Sequence, residues 1–210
     1  MIAIIGLLAG IAVPTALQLR REFTRGASLA TVRLLDVACR QYAEEMGPYP
    51  PSAPRVVGGQ QYYGRHWLVQ CLVGYMPDIG DDSTPSGATQ NGMYDDGKDG
   101  YGFRMVRRGP VHGPYNGTEG TQTTQEEVDG DEVPAFVDAF GDIVFYYRYD
   151  GAYDAGDNPG GPGDINAYAR DTNGRYFRTD FILCTPGPDT EWKAYSDEEE
   201  TDDVTNFLEE

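Results

Sequence analysis

The first 19 residues place the strongest constraint on the fold, because the stretch MIAIIGLLAGIAVPTALQL contains no charged side chain. A bilayer takes about 20 apolar residues in a helix, so a helix of this length can span the membrane or nearly span it. Gly6, Gly10 and Pro14 are compatible with that interpretation, because membrane helices tolerate both residue types. The sequence therefore predicts an apolar rod that inserts into a membrane.

The same stretch is compatible with two alternatives. One is a buried core helix, although core helices are seldom apolar on every face for about five turns. The second is a cleaved signal peptide, which would carry a basic n-region and a small-residue cleavage site. Neither feature precedes the helical pattern, which continues without a break.

Basic residues follow the apolar stretch directly, at Arg20, Arg21 and Arg25. By the positive-inside rule alone they would place the C-terminal part of the chain in the cytoplasm. The composition favours the opposite side, because 27 Gly, 14 Pro and 15 Tyr are typical of a loop-rich extracytoplasmic surface. Basic residues upstream of Met1 would remove this conflict.

A helical pattern with one apolar face continues as far as Met46. Gly47 is placed to end this helix, and the prolines that follow prevent it from resuming. We predict one long helix from Met1 to Met46, with Pro14 as the position at which it can bend. Apolar residues recur at intervals of three and four along its second half, at Leu29, Val32, Leu35, Cys39, Tyr42 and Met46.

The chain is strongly acidic, with a formal net charge of -18. This charge argues against a nucleic-acid partner, because phosphate binding needs clustered Lys and Arg, and makes cations the more natural ligands. Cys39, Cys71 and Cys184 lie far apart without CxxC spacing, so we do not expect a zinc site. At most one disulfide can form, and buried free thiols account for these cysteines equally well.

Little in the sequence indicates catalysis. The only histidines, His66 and His112, lie in Gly-, Tyr- or Pro-rich surroundings, without a nucleophile in a recognised arrangement. Carboxylates are plentiful, but their number does not place two of them at the separation that a glycosidase needs. We expect no enzymatic activity, and structural or surface roles for both histidines.

The middle of the chain predicts one short helix and several loops. Trp67 to Met76 is apolar and predicts a helix beside the long one. Asp95 to Gly100, DDGKDG, is similar to the start of a calcium loop, but an EF-hand needs Glu at its twelfth position, which here is Val106. A tight turn is the favoured interpretation. Gly109 to Asp131 is polar without periodicity, which predicts a mobile surface loop.

The second half of the chain predicts β-structure. Val133 to Tyr149 is rich in β-formers, with Gly141-Asp142 as a turn between two strands. Asp150 to Gly174 places aspartates among glycines, and we expect solvated turns there. Phe177 to Leu183 predicts a further strand.

Several motifs carry a resemblance to a known family. Ile2 to Pro14, IAIIGLLAGIAVP, resembles the N-terminal segment of type IV pilins and of type II secretion pseudopilins. Cys39 to Pro50, CRQYAEEMGPYP, is similar to the end of the long helix in major pseudopilins, and Asp138 to Asp142, DAFGD, resembles their Asp-Pro-Trp-Gly-Asn segment. The resemblance implies an α+β, pilin-like fold: a long N-terminal α-helix packed against a small antiparallel β-sheet with long loops. Residues 1–26 would form the membrane and filament-core half of the helix, and residues 27–210 the globular domain.

The chain departs from the family pattern at its start. Family members begin with a basic leader ending in Gly, which a prepilin peptidase removes, and continue with Phe-Thr-Leu-Ile-Glu before the apolar run. Here Met1 falls within that run. A start codon assigned too late, or a trimmed chain, would explain both the absent leader and glutamate and the absent basic flank, and we expect processing, methylation and polymerisation to depend on these residues.

Two motifs near the C-terminus resemble the calcium loop of pseudopilins. Thr185 to Asp189, TPGPD, matches the family's Ser-Leu-Gly-Pro-Asp-Gly, and Asp202 to Asn206, DDVTN, matches Asp-Asp-Ile-x-Asn. The resemblance implies a structural Ca²⁺, for which such a loop supplies oxygen ligands. The implied ligands are the side chains of Asp189, Asp202 and Asp203 and the backbone carbonyl of Pro186.

A solvated acidic run is a second interpretation of this region, because Asp197 to Asp203 has the composition of such a run. The insert between Asp189 and Asp202 is longer and more acidic than the family pattern. Without a cation, carboxylates gathered this closely would repel one another and leave the loop open.

The function that the resemblance implies is a subunit of the type II secretion pseudopilus. Its partners would be copies of itself, minor pseudopilins, the inner-membrane secretion platform and membrane lipid, and also the prepilin peptidase if a leader exists upstream. The chain would cross the inner membrane once, with its globular domain in the periplasm. The alternatives are a type IV pilin for adhesion or motility, and a membrane-anchored extracytoplasmic binding module or enzyme.

Overall fold

The structure is a computed structural model that describes residues 2–57, 59–74, 94–95, 101–105, 108–193 and 201–207. Side chains are not described for residues 2–14, 17, 94 and 95. The architecture is α+β: a long N-terminal helix packs beside a short helix and small antiparallel sheets. The coarse fold class predicted from the sequence is therefore confirmed.

The long helix, α1, extends over Ile2–Met46, as the sequence predicts. It ends where Gly47 adopts a positive φ of 92°, with its N–H donating to the Ala43 carbonyl at 2.8 Å. The predicted core face is confirmed, because Val32, Leu35, Cys39 and Tyr42 are buried. None of the helices among the described residues is both long enough and apolar enough to cross a bilayer.

The second helix, α2, covers Gly64–Val73, so it begins earlier than the predicted start at Trp67. Tyr63 precedes it, and its N–H donates to Nδ1 of His66, which caps the first turn. The helix ends at Gly74 in the left-handed region, with φ of 76°, where any side chain would collide with the backbone of Gly102. The last residues of the predicted helix, 75 and 76, lie outside the described residues.

Within the described residues the strands form four small antiparallel sheets rather than one. Three are hairpins, and the fourth places β8 between β7 and β9. The hairpins pair β1 (Arg55–Val57) with β2 (Gln60–Tyr62), β3 (Tyr94–Asp95) with β4 (Phe103–Arg104), and β5 (Thr123–Val128) with β6 (Asp131–Phe136). The three-stranded sheet contains β7 (Phe145–Arg148), β8 (Phe181–Thr185) and β9 (Val204–Thr205).

The prediction of a mobile loop over Gly109 to Asp131 is wrong. That segment contains a 3₁₀ turn, Thr118–Gly120, and the whole of β5. Because β5 has largely solvent-facing side chains, its sequence is polar although its backbone pairs fully with β6. Asp129 and Gly130, both with positive φ, form the turn of this hairpin.

The prediction of solvated turns over Asp150 to Gly174 is also wrong in part. A 3₁₀ turn, Ala155–Asp157, and a short helix, α3 (Ile165–Tyr168), form there. Tyr153 and Asn158 are buried, so the segment covers a second apolar cluster. The predicted turn at Gly141-Asp142 is confirmed by the hydrogen bond from Gly141 N–H to the Asp138 carbonyl.

The main core lies between α1, α2 and the three-stranded sheet. The predicted strand Phe177 to Leu183 is shifted, since β8 begins at Phe181 and ends at Thr185.

All three cysteines are buried and free, which agrees with one of the two interpretations of the sequence. Most of the DDGKDG segment, residues 96–100, and residues 197–200 of the acidic run lie outside the described residues.

Candidate functional site

The two C-terminal motifs meet at one end of the three-stranded sheet. The antiparallel register pairs Thr185 of β8 with Val204 of β9, so the residues after β8 lie beside those before β9. Gly187 lies so close to Asp202 that any side chain at position 187 would collide with the Asp202 backbone. The pairing of β8 with β9 therefore brings the TPGPD and DDVTN motifs together.

Asp203 is the most buried of the described carboxylates in this loop, with 2% of its surface exposed. Its Oδ2 accepts a hydrogen bond from the Lys193 backbone N–H at 3.1 Å, whereas its Oδ1 makes no hydrogen bond of good geometry within the described residues, although the Tyr168 hydroxyl interacts with this carboxylate. Burial raises the pKa of Asp203 to about 6.

Asp202 presents a second oxygen of the same kind. Its Oδ1 is buried, has no hydrogen-bond partner among the described residues, and lies 3.6 Å from the Lys193 ammonium. The carbonyl of Pro186 accepts a long hydrogen bond of 3.3 Å from the Thr185 hydroxyl, so it also keeps capacity for a further donor or a cation.

Asp189 is paired more completely. Its Oδ2 lies 2.5 Å from Nζ of Lys193, and its Oδ1 accepts from the Glu191 N–H at 2.9 Å. Hydrogen bonding to the Lys193 ammonium lowers the pKa of Asp189, and the same contact raises the pKa of Lys193. The ammonium therefore supplies the nearest positive charge to this group of carboxylates.

The structure thus places Pro186, Asp189, Asp202 and Asp203 around one end of β8, and their oxygen chemistry suits a hard cation such as Ca²⁺. Within the described ranges, however, no group of three or more His, Cys, Asp or Glu side chains is arranged closely enough to hold a metal ion. Lys193 was not predicted from the sequence as part of this site. Its spacing of four from Asp189 was the available signal.

Asp138 supports the loop from the opposite side. It is 1% exposed, and its Oδ1 accepts from the N–H groups of Phe140 and Asp142 at 2.9 and 3.0 Å. Its Oδ2 lies 3.3 Å from the Thr185 hydroxyl, whose one proton it shares with the Pro186 carbonyl. The DAFGD turn is therefore tied directly to the end of β8 from which the acidic loop begins.

The same loop is connected to α1 through Asn206. The Asn206 amide donates to Oδ1 of Asp36 at 2.9 Å, and Arg178 donates to the same oxygen at 2.6 Å. Asn206 also exchanges two hydrogen bonds with the Leu183 backbone. Burial alone would lower the pKa of Arg178, but Asp180 and Asp36 together raise it. This Asp36 cluster, consisting of Asp36, Arg178, Asp180 and Asn206, fixes the C-terminal segment against the helix.

Both histidines make contacts that hold elements together. Nδ1 of His66 accepts from the backbone, so its Nε2 carries the proton and donates to Glu126 at 2.9 Å. Arg65 binds the same carboxylate with two hydrogen bonds. These contacts link α2 to β5, and burial lowers the pKa of His66. Nδ1 of His112 lies 2.8 Å from Glu45 near the end of α1.

The N-terminal half of α1 carries exposed apolar side chains. Phe23 is 76% exposed and Leu19 is 49% exposed. Among the side chains that the structure describes, the first buried residue of the helix is Ser28, whose hydroxyl accepts from the Ala139 N–H at 3.2 Å. The globular domain therefore covers this helix only from about residue 28 onward.

Comparison with known proteins gives no relative: neither a protein-family model, nor a curated protein, nor a solved structure matches the chain.

Proposed function

We propose that this chain is a pseudopilin, a structural subunit of the type II secretion pseudopilus. The observation that carries the proposal is the 45-residue helix α1, whose C-terminal half is packed into the core. Its preceding turns leave Leu19 and Phe23 exposed, and residues 1–19 are uncharged. Water-exposed apolar surface of this kind is typical of a site for membrane or protein contact, and neighbouring helices of the same type would cover it.

Assembly would repeat one contact along an axis. Before assembly the apolar half of α1 would lie in the inner membrane, with the globular domain in the periplasm. In the filament, copies of the chain and minor pseudopilins would replace lipid around the helix. Such a contact joins two different surfaces and does not close, so it produces a helical filament rather than a ring.

The acidic loop supports the second part of the proposal, a structural Ca²⁺ at residues 186–203. Asp202 and Asp203 each present a buried carboxylate oxygen without a hydrogen-bond partner among the described residues. A bound Ca²⁺ takes six to eight oxygens, so Asp189, Asp202, Asp203 and the Pro186 carbonyl would hold it with further oxygens from the loop or water. The ion would supply positive charge that stabilises the closed loop.

The assembly proposal is tested by placing a charge on the exposed half of α1. Phe23→Asp is introduced into the full chain, extended by its upstream leader and expressed with the secretion platform. We expect filaments to be lost, because a charge in the filament core is costly, while the melting temperature of the full-length variant in detergent is unchanged. Val56→Asp is the matched control, since Val56 is 59% exposed on β1, away from the helix. Normal assembly of Phe23→Asp would contradict the proposal.

The two alternative functions give different results. A type IV pilin would also lose filaments in Phe23→Asp, but its filaments would support adhesion or motility rather than secretion. A membrane-anchored binding module or enzyme would form no filaments, and residues 27–210 alone would retain a specific ligand or activity.

A further inference from the structure

One face of α1 stays exposed even along the half of the helix whose opposite face is buried in the core. Leu19 and Val37 are 18 residues apart, about five helical turns, so both lie on this face, and they are 49% and 43% exposed. Gly26 and Ala30 lie between them on the same side and are also exposed. We call this surface the outer face of α1.

Three exposed charges follow the outer face at a regular spacing. Glu22, Arg33 and Glu44 are separated by 11 residues each, which is close to three helical turns, so they form one row with alternating sign along the helix. Among the side chains that the structure describes, none forms an ion pair with any of the three. Arg40 differs from them, because it is bound to Asp36 at 2.9 Å. The row is therefore available for pairing with another chain.

The signs of this row select one alignment of two parallel copies. In register, each charge would lie opposite the same charge of the second copy, which is repulsive. A shift by 11 residues, about 16 Å, places Arg33 of the first copy opposite Glu22 of the second, and Glu44 of the first opposite Arg33 of the second. Twice that shift would bring Glu44 opposite Glu22, so only the single shift pairs opposite charges throughout.

The apolar residues of the outer face favour the same shift. It places Val37 of the first copy opposite Gly26 of the second, and Ala30 opposite Leu19, so each large side chain meets a small one. Glycine is unfavourable inside a helix, and the fold of the chain does not require it at position 26, because a Cβ added there would meet nothing within 4 Å. The open space at Gly26 is therefore suited to a side chain from another copy.

We propose that the outer face of α1 binds the outer face of a second copy of this chain, parallel to it and shifted by 11 residues, with the charges of the row paired between copies. This inference rests on the proposed pseudopilin function, because a shared orientation in the membrane makes the two copies parallel. A half turn combined with a shift of about 16 Å relates the two copies, so the contact does not close and repeats along an axis. The globular domains lie on the opposite face of α1 and stay on the outside.

The first test measures the shift by crosslinking. Two differently tagged copies of the full chain, extended by its upstream leader and expressed with the secretion platform, each carry one added cysteine, and a short bismaleimide is applied. We expect Arg33→Cys to link to both Glu22→Cys and Glu44→Cys, and Arg33→Cys not to link to itself. The native cysteines are buried, so they do not compete for the reagent.

The second test inverts the charges. Arg33→Glu alone should lose filaments, because both ion pairs of each contact become repulsive. Combining it with Glu22→Arg and Glu44→Arg should restore them, because the triple variant inverts every sign and keeps opposite charges facing. Arg175→Glu is the matched control, since it makes the same charge change at an exposed position outside α1. All of these variants should melt with the wild type in detergent, because the replaced side chains are exposed.

The outcomes separate this inference from the proposed function. Filaments in which position 33 links to neither 22 nor 44, or a triple variant as defective as Arg33→Glu, would overturn the shifted contact and leave the pseudopilin function intact. Linkage of position 33 to only one of the two positions would indicate an antiparallel pair and would also overturn it. If the wild type forms no filaments and no cysteine pair links two copies, the proposed function fails as well.

Discussion

The Asp36 cluster gives the sharpest stability prediction. Arg178 donates to Asp36 at 2.6 Å and forms two further hydrogen bonds with Asp180 at 2.7 and 2.8 Å. Its side chain is 13% exposed, and those of Asp36 and Asp180 are 17% and 26% exposed. Replacing Arg178 with Met keeps the apolar stem but leaves two largely buried carboxylates without this partner.

The expected cost follows from that geometry. Breaking a fully buried ion pair by removing one partner costs about 3–5 kcal/mol. Because the Asp36 cluster is partly exposed and Asp36 retains hydrogen bonds from Arg40 and Asn206, we expect Arg178→Met to lower the free energy of unfolding by about 2–3 kcal/mol. Asp36→Asn should recover part of this loss in the double variant, with a coupling energy of about 1–2 kcal/mol.

The assay is urea unfolding of residues 27–210, which contain every buried residue among the described side chains. Arg175→Met is the matched control, because Arg175 is exposed, and its cost should stay within about 0.5 kcal/mol. A cost for Arg178→Met as small as that of the control, or additive single and double variants, would refute the assignment of the Asp36 cluster as the connection between α1 and the C-terminal segment.

Three further predictions concern other parts of the fold. Gly187→Ala should lower the melting temperature and weaken Ca²⁺ binding in a titration, because its methyl group would push the two motifs apart. Burial would raise the pKa of Glu126, but hydrogen bonds from His66 and Arg65 lower it to about 2. The ionised Glu126 carboxylate therefore stabilises the fold fully above pH 4.5, the ordinary pKa of Glu, and this stabilisation is lost as the pH falls towards 2. The wild type should therefore lose roughly 3 kcal/mol of its advantage in free energy of unfolding over Glu126→Gln between pH 5 and pH 2, as measured by urea titrations. A difference between the two proteins that stays constant with pH would contradict this. Leu35→Ala should cost about 2–5 kcal/mol, against less than about 1 kcal/mol for Val37→Ala, because the first side chain is fully buried and the second is 43% exposed.

The sequence was most informative where local periodicity decides the structure. The apolar face of α1 follows a helical period, so its buried positions, from Val32 to Tyr42, were predictable. Gly47 ends the helix as predicted, because only a residue that tolerates positive φ fits there. These features depend on residues close together in the chain.

Features that depend on distant residues were missed. Strand β5 is polar because its side chains face solvent, so composition suggested a loop, and only the Asp129-Gly130 turn signalled a hairpin. The segment over residues 150–174 is held on the core by apolar side chains such as Tyr153 and Tyr168, which pack against β7 and β8. Strand β8 lies further along the chain, so the local sequence does not indicate this contact. The Lys193 ammonium lies 3.6 Å from Asp202 only because β8 pairs with β9, and no single motif encodes that pairing.

The central claim is that the exposed half of α1 packs against other copies of this chain. A photo-crosslinking residue at position 23, in the full chain with its upstream leader and the secretion platform, tests this claim directly. We expect covalent dimers and higher multimers whose linked peptides both come from α1, with position 56 as the unlinked control. Crosslinks to lipid alone, or none between copies under conditions in which the system secretes, would contradict the claim.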